Sequence, residues 1–107
     1  HIAVSKIKNL VRKAAKSKYK KKITVEVENL KQLKEILGMN FHCVLFDNMS
    51  LKNLKKGVKI AKKLYETEAS GNINIKNIRK ISLSGVDRIS IGDLTHSLKA
   101  LDLKIEI

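Results

Sequence analysis

A chain of 107 residues is long enough for one compact core and short for a complete α/β barrel, which typically takes about 250 residues. It begins at His1, not methionine, and both features predict a piece of something longer. The hydrophobic content of 43% excludes disorder as the default, and no apolar run or leader suits a membrane or secretion. Cys43 as the only cysteine excludes an internal disulfide and predicts a reducing cytoplasm. The net charge of +13 invites a nucleic-acid reading, but the excess is mostly lysine and aromatics are only 4%, so bases would find few stacking platforms. Lys52, Lys55, Lys56, Lys59, Lys62 and Lys63 fall on the polar side of one helical pattern, as a solvated surface does. The densest run, Lys16 to Lys22, reads as a basic loop, with a polyanion patch as the alternative.

In chain order, Val4 to Ala15 places Val4, Ile7, Leu10, Val11 and Ala14 at helical spacing. Ile23 to Val27 alternates, is β-branched, and predicts a strand. Leu30, Leu33, Ile36 and Leu37 define a short helix closed by Gly38. Cys43 to Phe46 is a continuous apolar run, as in a strand covered on both faces. Ser50 caps the next helix, whose inner side is predicted to carry Leu51, Leu54, Val58, Ile60, Ala61 and Leu64. Tyr65 to Ala69 is a less apolar strand. Asn74 is predicted to cap a helix through Ile75, Ile78, Ile81 and Leu83, closed by Gly85. Arg88 to Ile91 is a fourth strand, Ser97 to Leu101 a turn or short helix, and Leu103 to Ile107 a final edge strand. Strands alternating with helices over short connections predict α/β architecture built from parallel βα units.

In such a fold the strand-to-helix handovers share one face, where sites are built. Glu26 and Asp47 close successive strands and are predicted to lie side by side there, suited to acid–base work, a divalent cation or sugar hydroxyls. The bland alternative is two solvated strand ends. Glu28 sits one alternation on, and Asn48 either caps a helix or meets a ligand. Ser70-Gly71-Asn72 and Ile91-Gly92-Asp93 each put a glycine where main-chain N–H groups can turn to an anion, and His96, a turn beyond, could donate to a phosphate oxygen. His42 is expected at the opposite end of its strand on the surface, and Cys43 as a small buried hydrophobe.

Taken together, Glu26-Val27-Glu28-Asn29-Leu30, Leu45-Phe46-Asp47-Asn48-Met49, Ala69-Ser70-Gly71-Asn72-Ile73, and Leu94-Thr95-His96-Ser97 followed by Lys99-Ala100-Leu101-Asp102 resemble the C-terminal part of quinolinate phosphoribosyltransferase, the carboxylating nicotinate-nucleotide pyrophosphorylase. The resemblance covers essentially residues 1–107 and implies a partial α/β-barrel domain, with the N-terminal domain and the start of the barrel preceding His1. It implies a cytoplasmic enzyme of NAD biosynthesis, homo-oligomeric when complete, that joins quinolinate to phosphoribosyl pyrophosphate. Quinolinate nitrogen attacks C1 of the ribose, pyrophosphate leaves with magnesium, and decarboxylation yields nicotinate mononucleotide. By the same resemblance Glu26 and Asp47 hold the ribose hydroxyls and stabilise the cationic ribosyl centre. Ser70, Gly71 and Asn72 form one phosphate loop; Ile91, Gly92 and Asp93 form the other, with His96 nearby. No direct metal ligand is implied, magnesium arriving on the pyrophosphate.

Several residues depart from the family pattern. Asp93 stands where a small residue is usual, and Phe46 where a smaller aliphatic is. Arg12, Arg79 and Arg88 do not match the family's quinolinate-binding arginines, so the isolated chain is expected to be inactive and to associate through open sheet edges. The alternatives are a nicotinate phosphoribosyltransferase-type barrel, a basic nucleic-acid-binding domain and a decayed gene product.

Overall fold

The computed structural model describes residues 4–15, 23–91 and 103–106. The elements run α1 (Val4–Ala15), β1 (Ile23–Val27), α2 (Leu30–Ile36), β2 (Cys43–Asp47), α3 (Leu51–Ala61), β3 (Glu66–Ser70), α4 (Ile78–Ser82), β4 (Arg88–Ile89) and β5 (Leu103–Glu106). The strands form one five-stranded sheet in the order β4-β3-β2-β1-β5, and every described pairing is parallel. Parallel neighbours require the chain to cross back over the sheet between strands, which α2, α3 and α4 do. The expected α/β class of parallel βα units is thus the observed one, and β5 lies at a sheet edge as expected. The Lys16 to Lys22 run and the turn at Ser97 to Leu101 lie outside the described residues.

Local chemistry sets the helix starts. Asn29 caps α2 by accepting from the Gln32 amide at 2.9 Å, while the Gln32 side chain accepts from the Glu28 amide at 2.7 Å, a reciprocal arrangement that satisfies two otherwise orphaned donors. Ser50 caps α3 through the Asn53 amide at 3.3 Å, as the sequence predicts.

The core lies between the helices and one face of the sheet. Ile23, Val25 and Val27 of β1 and Val44 and Phe46 of β2 are fully or almost fully buried with Leu33 and Ile36 of α2 and Leu54, Val58 and Ala61 of α3. Helix and sheet meet closely at Gly57, where a Cβ would lie 2.6 Å from Phe46 Cε1. The large residue in β2 is accommodated because the helix above it has no side chain there. At the N-terminal end of β3, Tyr65 stacks on Phe41 with ring centroids 3.9 Å apart, and its hydroxyl donates to Met39 O at 2.7 Å while accepting from the Gly38 amide at 2.9 Å.

Four apolar residues depart from the predicted pattern, the first being Leu10 of α1, which is exposed. α3 ends at Ala61, and Leu64 beyond it is 61% exposed. α4 is shorter than predicted, starts after Asn77 and buries no residue, leaving Ile75 93% and Leu83 75% exposed. Asn74 starts a turn instead, accepting from the Lys76 and Asn77 amides. Asn is suited to that role because its side chain mimics the next turn of backbone.

Candidate active site

Strand parity divides the sheet into two faces. Cys43, Leu45 and Asp47 pair with Glu66, Glu68 and Ser70, Thr24 and Glu26 pair with Cys43 and Leu45, and Arg88 pairs with Glu68. Paired residues share a face, so these side chains oppose the helix-covered core. Among the described side chains of that inner face Glu26, Asp47, Glu66 and Glu68 outnumber Arg88, an acidic surface in a chain of net charge +13.

At the C-terminal rim, Asp47 and Ser70 are register partners. The Ser70 hydroxyl donates to Asp47 Oδ1 at 3.2 Å, and the Asn48 amide donates to Ser70 O at 2.8 Å. Gly71 follows at φ +81°, and a Cβ there would sit 2.8 Å from both Asn48 N and Asp47 Oδ1. Positive φ and the close approach of two handovers together make glycine the residue that fits. Asn48 and Asn72 also adopt left-handed backbone, at φ 53° and 51°, and the Asn72 amide donates to Asn48 Oδ1 at 2.6 Å. Asn77 donates to Asn72 O at 2.7 Å. Asn48 therefore joins two loops, while the helix cap expected as one of its roles is made by Ser50. The corner is polar and main-chain rich, with left-handed residues in both loops, as in backbone turns that can hold an anionic group.

The two carboxylates expected side by side are staggered. Glu26 lies opposite Leu45, two positions below Asp47 in the β1–β2 register. The ladder ends at Val27 opposite Phe46; one further step along that register brings Glu28 level with Asp47. The sequence sets Glu26 beside Asp47 because strand alternation alone does not say where neighbouring strands align.

Beyond Ser70, the Ser90 amide donates to Ala69 O at 2.9 Å, and Ile91 is 39% exposed at the end of the sheet. Gly92, Asp93 and His96 lie outside the described residues.

A network that the sequence reading missed occupies the inner face below the rim. Arg88 donates from Nη1 to Glu66 Oε1 at 2.9 Å, from Nε to Glu68 Oε1 at 3.2 Å and from Nη2 to Cys43 Sγ at 3.2 Å. Ser90 Oγ donates to the other Glu68 oxygen at 3.1 Å. Burial opposes the Arg88 charge, but the hydrogen bond to Glu66 and the charges around it outweigh that and hold it more firmly protonated than usual. Cys43 is buried as expected, though beside Arg88 and not in the helix-covered core; burial pushes its thiol up to about 11. His42 is half exposed at the other end of β2 and contacts Glu66 Oε2. Asp87 is held below the usual carboxylate range, chiefly by the Thr67 amide and also by its hydroxyl, donating at 2.8 and 3.1 Å. The parity of Glu66, Glu68 and Ser70 was the available signal for this network.

A cleft of about 530 Å³ lined by Lys8, Arg12, Glu35, Gly38, Met39 and Asn40 adjoins the N-terminal end of β2, away from the rim. The rim is the better candidate site because the polar groups converge there. Among the described residues, no group of three His, Cys, Asp or Glu is placed to hold a metal ion, and no helix is long and apolar enough to cross a membrane.

Comparison with known proteins accords with this geometry. Residues 1–106 match the family model described as quinolinate phosphoribosyl transferase, C-terminal domain. The probable nicotinate-nucleotide pyrophosphorylase [carboxylating] of Methanocaldococcus jannaschii is 35% identical over 100% of this chain and 41% of its own length. The chloroplastic nicotinate-nucleotide pyrophosphorylase [carboxylating] of Oryza sativa subsp. japonica is 35% identical over 87% of this chain and 29% of its own length. The solved nicotinate-nucleotide pyrophosphorylase of Francisella tularensis superposes with a TM-score of 0.74 at 37% identity, over 91% of this chain and 35% of that one. That of Ehrlichia chaffeensis gives 0.72 at 40% identity, over 85% and 33%. The chain thus spans at most 41% of the length of these curated relatives, its sheet corresponding to the C-terminal part of their α/β barrel. By sequence and by fold, this chain belongs to the quinolinate phosphoribosyl transferase C-terminal domain family.

Proposed function

We propose that the chain supplies the phosphoribosyl-holding side of a quinolinate phosphoribosyltransferase, which makes nicotinate mononucleotide, pyrophosphate and CO2 from quinolinate and phosphoribosyl pyrophosphate. The observation that carries this reading is the Asp47–Ser70–Gly71 corner, a carboxylate bonded to the Ser70 hydroxyl and packed against a glycine turn of positive φ at the strand ends. Negative charge preorganised beside the ribose stabilises the positive charge that builds at C1 as pyrophosphate departs. Asp47 at the rim, with Glu28 level and Glu26 one layer below, supplies that charge, and Ser70, Gly71 and Asn72 hold the phosphate. Ile91, Gly92, Asp93 and His96 are assigned to its other side. Magnesium belongs to the pyrophosphate of the substrate and leaves with it.

The two carboxylates of quinolinate require cationic partners, and Arg88, the inner-face arginine among the described residues, is already committed to Glu66 and Glu68. That recognition is assigned to the preceding part of the enzyme. A homo-oligomer is the assembly expected of the complete enzyme, and the Cys43 thiol, free of any disulfide, fits a reducing cytoplasm.

The test is a fusion in which this chain replaces the matching region of the M. jannaschii relative. Formation of nicotinate mononucleotide and pyrophosphate from the two substrates is expected. A folded fusion that binds neither phosphoribosyl pyrophosphate nor ribose 5-phosphate would contradict the proposal.

A further inference from the structure

β4 is the weakest-laddered strand among those described, with only two register pairs to β3. The helix before it helps only in part, since α4 has no fully buried residue and only Ile81 and Val86 pack partly against the core, while the Asp87 and Ser90 amides each add one main-chain bond to β3. Side chains supply the missing anchorage at nearly every position. Asp87 ties to the Thr67 amide and hydroxyl at 2.8 and 3.1 Å, Arg88 spans Glu66 and Glu68, and Ser90 donates to Glu68 Oε2 at 3.1 Å. Glu68 is the junction, because its two oxygens hold Arg88 and Ser90 separately.

Without Arg88, Glu66 and Glu68 would be two like charges on one strand face, about 7 Å apart, with no cation between them. Their repulsion would turn Glu68 away from Ser90. With Arg88 in place the carboxylate is held between two donors, and charge-assisted bonds of this kind are roughly twice as strong as neutral ones. We propose that Arg88 is a positioning residue for the phosphate-holding rim: acting through Glu68, it fixes Ser90 and with it the end of β4. The inference rests on the function proposed above for that rim, though the anchoring step is separable from it.

Two measurements separate the parts. In the chain itself, Arg88→Met should speed hydrogen exchange at the Ser90 amide about tenfold or more, as local opening replaces an anchored edge. The Asn48 amide, which is bonded to Ser70 O, should be unaffected. In the fusion, the same variant should raise KM for phosphoribosyl pyrophosphate about tenfold while leaving KM for quinolinate within about twofold. Arg88→Lys should recover part of the effect, since a point charge can serve one carboxylate but not fork across two. If Arg88→Met fails to fold, Glu68→Gln, which keeps size and removes charge, should give the same pattern more weakly. Unchanged exchange at Ser90 overturns the anchoring step. Faster exchange with both KM values unchanged, or raised equally, overturns the link to phosphate. If the unsubstituted fusion neither turns over nor binds ribose 5-phosphate, the proposed function falls and exchange at Ser90 alone decides the anchoring.

Discussion

The two faces of the sheet are built from the same strands and do different work. Facing the helices, Val25, Val27, Val44, Phe46 and Ala69 are buried and apolar, and the one polar member, Thr67, is satisfied by Asp87. On the opposite face, at alternate positions of the same strands, stand Glu26, Asp47, Glu68 and Ser70. A period of two lets one strand contribute to a core and to a site without compromise between them. The lesson is that substitutions on the two faces should be separable: one face should answer in stability, the other in ligand handling.

That separation can be broken from the core side first. Phe46→Ala should cost about 3–5 kcal/mol, the usual range for emptying a buried aromatic site, read as a lower urea midpoint. Gly57→Ala comes next. The new methyl would meet Phe46 at 2.6 Å, and such overpacking typically costs about 1–3 kcal/mol. Combining it with Phe46→Leu should restore much of the loss, and additive losses would show that the contact is not the cause. The smallest effect concerns Asp87. Its folded pKa is depressed, so its contribution to stability is complete above the unfolded value of about 3.9 and is lost as pH falls through the lower folded value. Asp87→Asn should therefore flatten the acid limb of a melting-temperature profile, lowering stability at neutral pH by that contribution and changing little at low pH. An acid limb as steep as before would assign the loss to other carboxylates.

Much of this molecule is readable in its sequence. α1, β1 and the start of α3 carry periodicity, β-branching and caps that agree with one another, and they form where those signals place them. Leu64, Ile75 and Leu83 were misread because helical spacing identifies an apolar side but not whether the fold offers a surface to receive it. The offset of Glu26 from Asp47 follows from register, a relation between strands that neither strand encodes alone. Arg88 was set aside because it matched no expected substrate contact; its partners lie 20 and 22 residues away and are visible only by pairing β3 with β4. The Ser70-Gly71-Asn72 turn was legible, because positive φ and close approach leave few residue choices.

The measurement closest to the central claim compares Asp47→Ala, Glu28→Ala and Glu26→Ala in the fusion, with Lys52→Ala on the exposed side of α3 as the control. Turnover, quinolinate affinity and urea midpoint would be read for each. Loss of a group aimed at developing charge typically costs on the order of 10²-fold in rate. Asp47→Ala should show that loss in turnover with quinolinate affinity and stability nearly unchanged. Glu28→Ala and Glu26→Ala should reduce turnover in proportion to their nearness to the ribose, and Lys52→Ala should change nothing. Near-normal turnover in all three carboxylate variants would contradict the account and reduce the acidic rim to a solvated edge.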